Sequence, residues 1–216
     1  MSAMKWTLFL AVSLGAAGPA VAVDYPGPPP GPAQAACSAT EATLRNDAIV
    51  MRWTFADGRL KPDRLSHQRA SQTLSLAGNE AFALVLAQTP DPRTRTLSAS
   101  AMTLAGRPEL KRLKPDPRAV RLGDRFGGWE LAARLTNAAP PFEVLWRAVL
   151  RDGANYIRQE LTLRPQGEPV ELDEVVLLEM RVPGSEVAGR VDGSPVVAEG
   201  TFFGVEHPAS RSVIAS

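Results

Sequence analysis

Between Phe142 and Leu163 one face of the chain repeats with a period of two, largely apolar, on both sides of Asp152-Gly153. Phe142, Val144, Trp146, Ala148 and Leu150 fall on one face of the first run. On the return, Ile157, Gln159, Leu161 and Leu163 alternate with Tyr156, Arg158, Glu160 and Thr162. Period two is the repeat of an extended backbone, whose successive side chains point to opposite faces. An Asp-Gly pair between two such runs predicts a β-hairpin, because glycine accepts the positive φ that the turn demands. The pattern recurs in Ile49, Met51, Trp53 and Phe55, which alternate with Val50, Arg52 and Thr54 ahead of a turn at Ala56-Asp57-Gly58. Residues 80–86 and 129–135 are further strand candidates, and Leu172, Val176, Leu178, Met180 and Val182 continue the alternation after Gly167-Glu168-Pro169. Many short strands and no long helical repeat predict an all-β, antiparallel sandwich. Trp53 and Trp146 lie on the apolar side of their strands, which assigns them to its core.

The two ends of the chain read differently. Residues 1–22 have the layout of a secretory signal: Lys5, the apolar run Trp6–Leu14, and a small-x-small cleavage pattern at Ala20-Val21-Ala22. The run is too short to cross about 30 Å of hydrocarbon, and no later segment reaches the roughly 18 apolar residues of a span. The expected location is therefore periplasmic or extracellular, with no membrane association after cleavage. Residues 23–38 read as a Pro/Gly-rich linker without packed structure, since closely spaced prolines remove backbone donors and hold the chain extended. Residues 39–216 form one globular domain, long enough for a real core.

A formal net charge of +1 supplies no field to recruit nucleic acid or an anionic membrane. The single cysteine, Cys37, has no intrachain disulfide partner, so the fold rests on its core. Ala35-Ala36-Cys37 has the look of a lipid-attachment site, but a Pro/Gly stretch separates it from the apolar run that a lipobox should follow directly. With His67 and His207 the only histidines, no histidine-rich metal site is expected, and no sequence motif calls for a cofactor. Gly-x-Ser-x-Gly, His-Glu-x-x-His, Walker and dinucleotide motifs are all missing from the sequence.

The order of short landmarks carries a further signal. Residues 43–53 are followed by Asp57-Gly58-Arg59-Leu60, then Glu80-Ala81-Phe82, residues 97–102 and Gly128-Trp129. Trp146, residues 150–156, Gly193-Ser194-Pro195 and residues 202–208 (Phe-Phe-Gly-Val-Glu-His-Pro) complete the series. From Thr43 to Pro208 this order resembles the N-terminal β-supersandwich, a galactose-mutarotase-like domain, of secreted α-galactosidase or melibiase-like glycoside hydrolases. Ser100-Ala101-Met102 departs from it where a Ser-Asp-Met-like triplet is expected. The resemblance implies an antiparallel β-supersandwich, incomplete at its C-terminal end because residues 211–216 stop in mid-pattern. It implies a non-catalytic accessory domain that supports a catalytic barrel missing from this chain. The two catalytic carboxylates would lie in that barrel, so no catalytic residue is assigned here.

Glu206-His207-Pro208 is the most site-like triplet, because a carboxylate beside an imidazole can orient a sugar hydroxyl. Trp129, after two glycines, is the tryptophan best placed to stack on a sugar. Glu206, His207 and Trp129 are thus the sugar-binding or barrel-facing candidates, with packing against the barrel the plainer role for the triplet. Asp152 and Asn155 are assigned to turn chemistry. Two other functions fit the same residues: a standalone carbohydrate-binding module, and an aldose epimerase using His67 or His207 with a glutamate as acid and base.

Overall fold

The computed structural model describes residues 5–12, 27–87, 95–180, 182–198 and 200–214. It is all-β and antiparallel, and its helical turns among those residues are no longer than the four of Leu122–Arg125. The strands are β1 (Lys5–Val12), β2 (Gln34–Cys37), β3 (Glu41–Arg45), β4 (Ile49–Thr54), β5 (Lys61–His67) and β6 (Gln72–Ser75). Then come β7 (Ala83–Leu86), β8 (Thr96–Ser98), β9 (Thr103–Leu104), β10 (Glu109–Leu113), β11 (Gly128–Ala138) and β12 (Pro141–Arg151). β13 (Tyr156–Pro165), β14 (Leu172–Val176), β15 (Glu186–Val187), β16 (Val196–Ala198) and β17 (Thr201–Val205) complete the series.

The main sheet runs β10-β11-β12-β13-β1-β17-β16-β15, with β9 added on β11. A second sheet runs β2-β3-β4-β5-β6, and a third β14-β7-β8. The central hairpin is the one the alternation predicts. β12 and β13 pair from Phe142↔Pro165 to Val149↔Arg158, and the turn closes through Ala154 N donating to Arg151 O at 3.1 Å. Gly153 sits there at φ 76°, a left-handed position that side chains with a Cβ rarely adopt. The turn at Asp57-Gly58 likewise takes two positive φ values, 55° and 67°.

The inward faces of the main and five-stranded sheets meet at Trp146 and Trp53, both fully buried. Their rings stand edge to face, with centroids 5.3 Å apart at 72°, the geometry that aromatic quadrupoles favour. Trp146 Nε1 donates to Gln159 Oε1 at 3.0 Å, which satisfies a polar atom that burial would otherwise leave unpaired. Leu44, Met51, Leu65, Leu131, Leu135, Val144, Ile157 and Leu161 pack around the pair. Each fully buried aliphatic side chain of this size is worth about 1.5–3 kcal/mol.

One expectation from the sequence needs revision. The stretch read as a linker is in large part built into the domain: β2 pairs with β3 from Gln34↔Arg45 to Cys37↔Ala42. Ahead of it, Pro30 O accepts from Asp47 N at 2.9 Å, Gly31 O from Gly153 N at 2.9 Å, and Ala33 N donates to Asp152 Oδ1 at 2.8 Å. The prolines stop at residue 32, so from Ala33 onward every backbone donor is available to a ladder. Part of the apolar run Trp6–Leu14, read from the sequence as belonging to an export leader, lies in β1, whose backbone pairs with β13 on one side and β17 on the other. Residues 1–4 and 13–26, the rest of that segment and the start of the linker, lie outside the described residues.

Candidate functional site

The face of the main sheet turned away from Trp146 is charged. Glu130 comes from β11, Arg147 and Arg151 from β12, and Arg158 and Glu160 from β13. All have the strand parity opposite to the core residues, so the pleat puts them on one surface. The helical turn Leu122–Arg125 lies over that surface and adds Asp124, with Arg121 just before it. Arg147 and Glu160 are directly opposed across β12 and β13 and are hydrogen-bonded, and Arg147 Nη1 also lies 3.8 Å from Glu130. Arg158 Nε lies 3.0 Å from Glu160 Oε1, an ion-pair contact without hydrogen-bond alignment, and its Nη2 lies 3.6 Å from Asp124. Arg151 Nη2 donates to Asp124 Oδ1 at 2.7 Å and its Nη1 to Phe126 O at 2.8 Å. Arg121 Nη2 donates to Glu206 Oε2 at 2.8 Å, and its Nη1 stands 4.0 Å from Glu160.

Four guanidinium groups thus face four carboxylates, and the layer is neutral. Its centre is buried: only 10% of the Arg158 side chain and 11% of Glu160 are exposed, against 40% of Arg121 and 47% of Glu206 at the rim. Charges can remain at that depth because each is paired. The layer fixes the 116–126 loop to the sheet through Arg121 and Asp124. The same loop leaves apolar side chains open to solvent: Val120 is 100% exposed, Leu122 64% and Phe126 50%. Arg118 and Arg125 are also exposed there.

The three residues singled out from the sequence do not converge. Glu206 is exposed and held by Arg121 at the rim of the charged layer. His207 is half-buried and shapes a turn, with Nδ1 accepting from Ala209 N at 3.1 Å and its carbonyl from Ser210 N at 3.0 Å. Trp129 pairs with Leu150 in β11, packs against the core, and carries the Arg112 guanidinium 5.4 Å from its ring centroid. One ring face is therefore taken by a cation–π contact. β11 and β17 are four strand steps apart in the sheet, about 19 Å at the usual spacing. His67 belongs to the other sheet, on β5, buried with no hydrogen-bond partner on Nδ1. Burial, and secondarily Arg69, lowers its pKa. Burial of the Cys37 thiol raises its pKa.

Several polar residues do work that their sequence setting conceals. Asp152 is more than a turn residue: it accepts from Ala33 N and ion-pairs with Arg112 at 3.1 Å, tying the hairpin tip to β2's approach. Buried Asn46 donates to Ala154 O at 2.6 Å and accepts from the amides of Ala48 and Ile49. Glu80 accepts from both the amide and the hydroxyl of Ser100, so two landmarks far apart in the chain meet. Only the paired position of such residues distinguishes them from ordinary loop polars.

A cleft between Met51, Leu76, Ala81, Gln159, Leu178 and Met180 has a volume of about 10 Å³, room for about one water and far short of the 300–1,000 Å³ usual for small-molecule sites. Among the described residues no group of three or more His, Cys, Asp or Glu side chains is placed to hold a metal ion, and no helix is long and apolar enough to cross a membrane. Comparison with protein-family models, with curated proteins and with solved structures finds no match to this chain.

Proposed function

We propose that this chain is an exported, non-catalytic accessory domain of a glycoside hydrolase, similar to the galactose-mutarotase-like domain of α-galactosidase-like enzymes, and that it buttresses a catalytic barrel. The observation that carries this reading is the 116–126 loop. Ion pairs to Arg151, Arg158, Glu160 and Glu206 hold its inner side to the sheet, while Val120, Leu122 and Phe126 face outward. A rigidly anchored loop that spends its apolar side chains on solvent gains nothing for its own fold, and such a surface suits a partner domain. Glu206, next to the loop, would sit at the margin of that contact.

A second reading, a standalone carbohydrate-binding module, draws on the rim of the same layer. Arg121 donates and Glu206 accepts, and a sugar hydroxyl can do both. Native size-exclusion chromatography of an extract from producing cells separates the two. Fractions are probed with an antibody to this chain and assayed with 4-nitrophenyl α-galactoside. The accessory-domain reading expects the chain to elute with the hydrolase activity, as one polypeptide or a complex. Elution at the mass of the chain alone, with binding to a glycan array and no hydrolase in the same fractions, would replace it with the binding module.

A further inference from the structure

β1 holds the main sheet together. It pairs from Lys5↔Thr162 to Ala11↔Tyr156 on β13, and from Leu8↔Val205 to Val12↔Thr201 on β17. In the strand order it alone joins β17-β16-β15 to the rest of that sheet. Yet the same segment has the composition of an export leader. A leader removed at Ala22 cannot also be a strand of the mature protein, and its loss would leave two facing ladders of backbone donors and acceptors without partners.

The segment that follows β17 is placed to replace it. The chain reverses at His207–Ser210, where Ser210 N donates to His207 O and Ala209 N to His207 Nδ1. Beyond the reversal, residues 211–214 belong to no strand, and Val213 and Ile214 are 69% and 42% exposed. Both sides of β17 are already filled, by β1 and by β16. We propose that, once residues 1–22 are removed, the segment beginning at Arg211 moves into the position of β1, antiparallel to β17 and beside β13. This rests on the export-leader reading of residues 1–22.

The register follows from the turn. With Pro208-Ala209 as the loop, Val205 comes opposite Ser212, Gly204 opposite Val213, and Phe203 opposite Ile214. Those β17 residues now face Leu8, Phe9 and Leu10. Ile214 then joins buried Phe203 on the core side, which removes its exposed surface. A strand after a tight reversal must run antiparallel to β17, the direction β1 has. The leader therefore occupies the slot in the precursor, and the downstream strand completes the sheet after cleavage.

The test uses the full-length gene expressed with export, in a Cys37→Ser background carrying Val205→Cys with either Leu8→Cys or Ser212→Cys. Directly opposed strand residues have Cα atoms about 4.5–5.5 Å apart, within disulfide range. Intact mass reports both the N-terminus and the oxidation state. The expected result is that the exported protein lacks residues 1–22 and forms the V205C–S212C disulfide, while unprocessed protein forms only the L8C–V205C one. Should the substitutions impair folding, amide exchange on the unsubstituted processed chain reads the same event, with residues 212–214 slowed on the order of 100-fold or more. A processed chain with free V205C and S212C thiols and fast amides at 212–214 overturns the exchange alone. An exported protein that keeps residues 1–22 overturns the exchange together with the leader reading. Neither result bears on the barrel-docking role of the 116–126 loop.

Discussion

Glu160 and Glu206 are two carboxylates of one charged layer, and the structure gives them very different weights. Glu160 is 11% exposed and contacts Arg121, Arg147 and Arg158; Glu206 is 47% exposed and contacts Arg121. Replacing Glu160 with alanine leaves four guanidinium groups facing three carboxylates, with Arg158 still within reach of Asp124 at 3.6 Å and Arg147 of Glu130 at 3.8 Å. Removing one partner of a buried pair costs about 3–5 kcal/mol, because the remaining charge stays desolvated. The two residual contacts are long, so they recover little of this. An exposed pair such as Arg121–Glu206 is worth about 0–1 kcal/mol. For a domain of this size 1 kcal/mol moves the melting temperature by about 2–4 °C, so Glu160→Ala should lower it by roughly 6–20 °C and Glu206→Ala by no more than about 4 °C. Urea denaturation of the two variants, followed by tryptophan fluorescence, measures the difference directly. If Glu160→Ala and Glu206→Ala agree within about 0.5 kcal/mol, the centre of the layer is hydrated and the argument from burial is wrong.

Three other perturbations probe separate parts of the account. The pKa of His67 is lowered by burial, so the unfolded chain binds more protons than the folded one near and below the imidazole's usual 6.5. The resulting stability is present above pH 6.5 and is lost as pH falls toward the lower folded value; His67→Gln should flatten that part of a Tm-against-pH curve. Trp146→Ala removes the edge-to-face partner of Trp53 and the donor to Gln159, and should cost about 3–5 kcal/mol by chemical denaturation. Gly193→Ala puts a Cβ 2.5 Å from Ser210 Oγ and 3.1 Å from Ser210 O at a φ of +78°, so the hydroxyl must rotate and the strained backbone at residue 193 or the Ser210 carbonyl must give, loosening the turn at His207–Ser210. Faster limited proteolysis around residue 210 would register the displacement, and an unchanged cleavage pattern would count against the contact.

Much of the fold was legible because the core strands obey one repeat. In Phe142–Leu150 and Ile157–Leu163 the large core residues recur at every second position, although Leu145, Val149 and Gln159 break the strict apolar–polar pattern, and β12 and β13 form where that repeat puts them. Residues 129–135 lie inside the longer β11. The strand expected over residues 80–86 is only Ala83–Leu86; just ahead of it Phe82 O accepts from Ala99 N and Glu80 from Ser100, contacts to the short helical turn at Ala99–Ala101. Proline content made residues 23–38 look unstructured, although β3, the partner of β2, follows almost at once; the groups that anchor the stretch ahead of β2, Asp152 and Gly153, are remote in sequence. The charged layer was hidden for the same reason. Arg158 and Glu160 alternate with core residues as any solvent-facing pair would, and only the 116–126 loop folding over them makes them buried. Glu206, His207 and Trp129 are each distinctive as residue types, but period and motif do not tell how far apart a sheet's strand order will set them.

The measurement closest to the central claim is amide hydrogen exchange over Asp116–Phe126 in the protein as its own cells release it, against the same chain expressed by itself. Docking onto a catalytic barrel predicts that the amides around Val120, Leu122 and Phe126 exchange more slowly in the native product than in the chain alone. Equal exchange in both would mean that nothing covers this loop, and the accessory-domain account would be wrong.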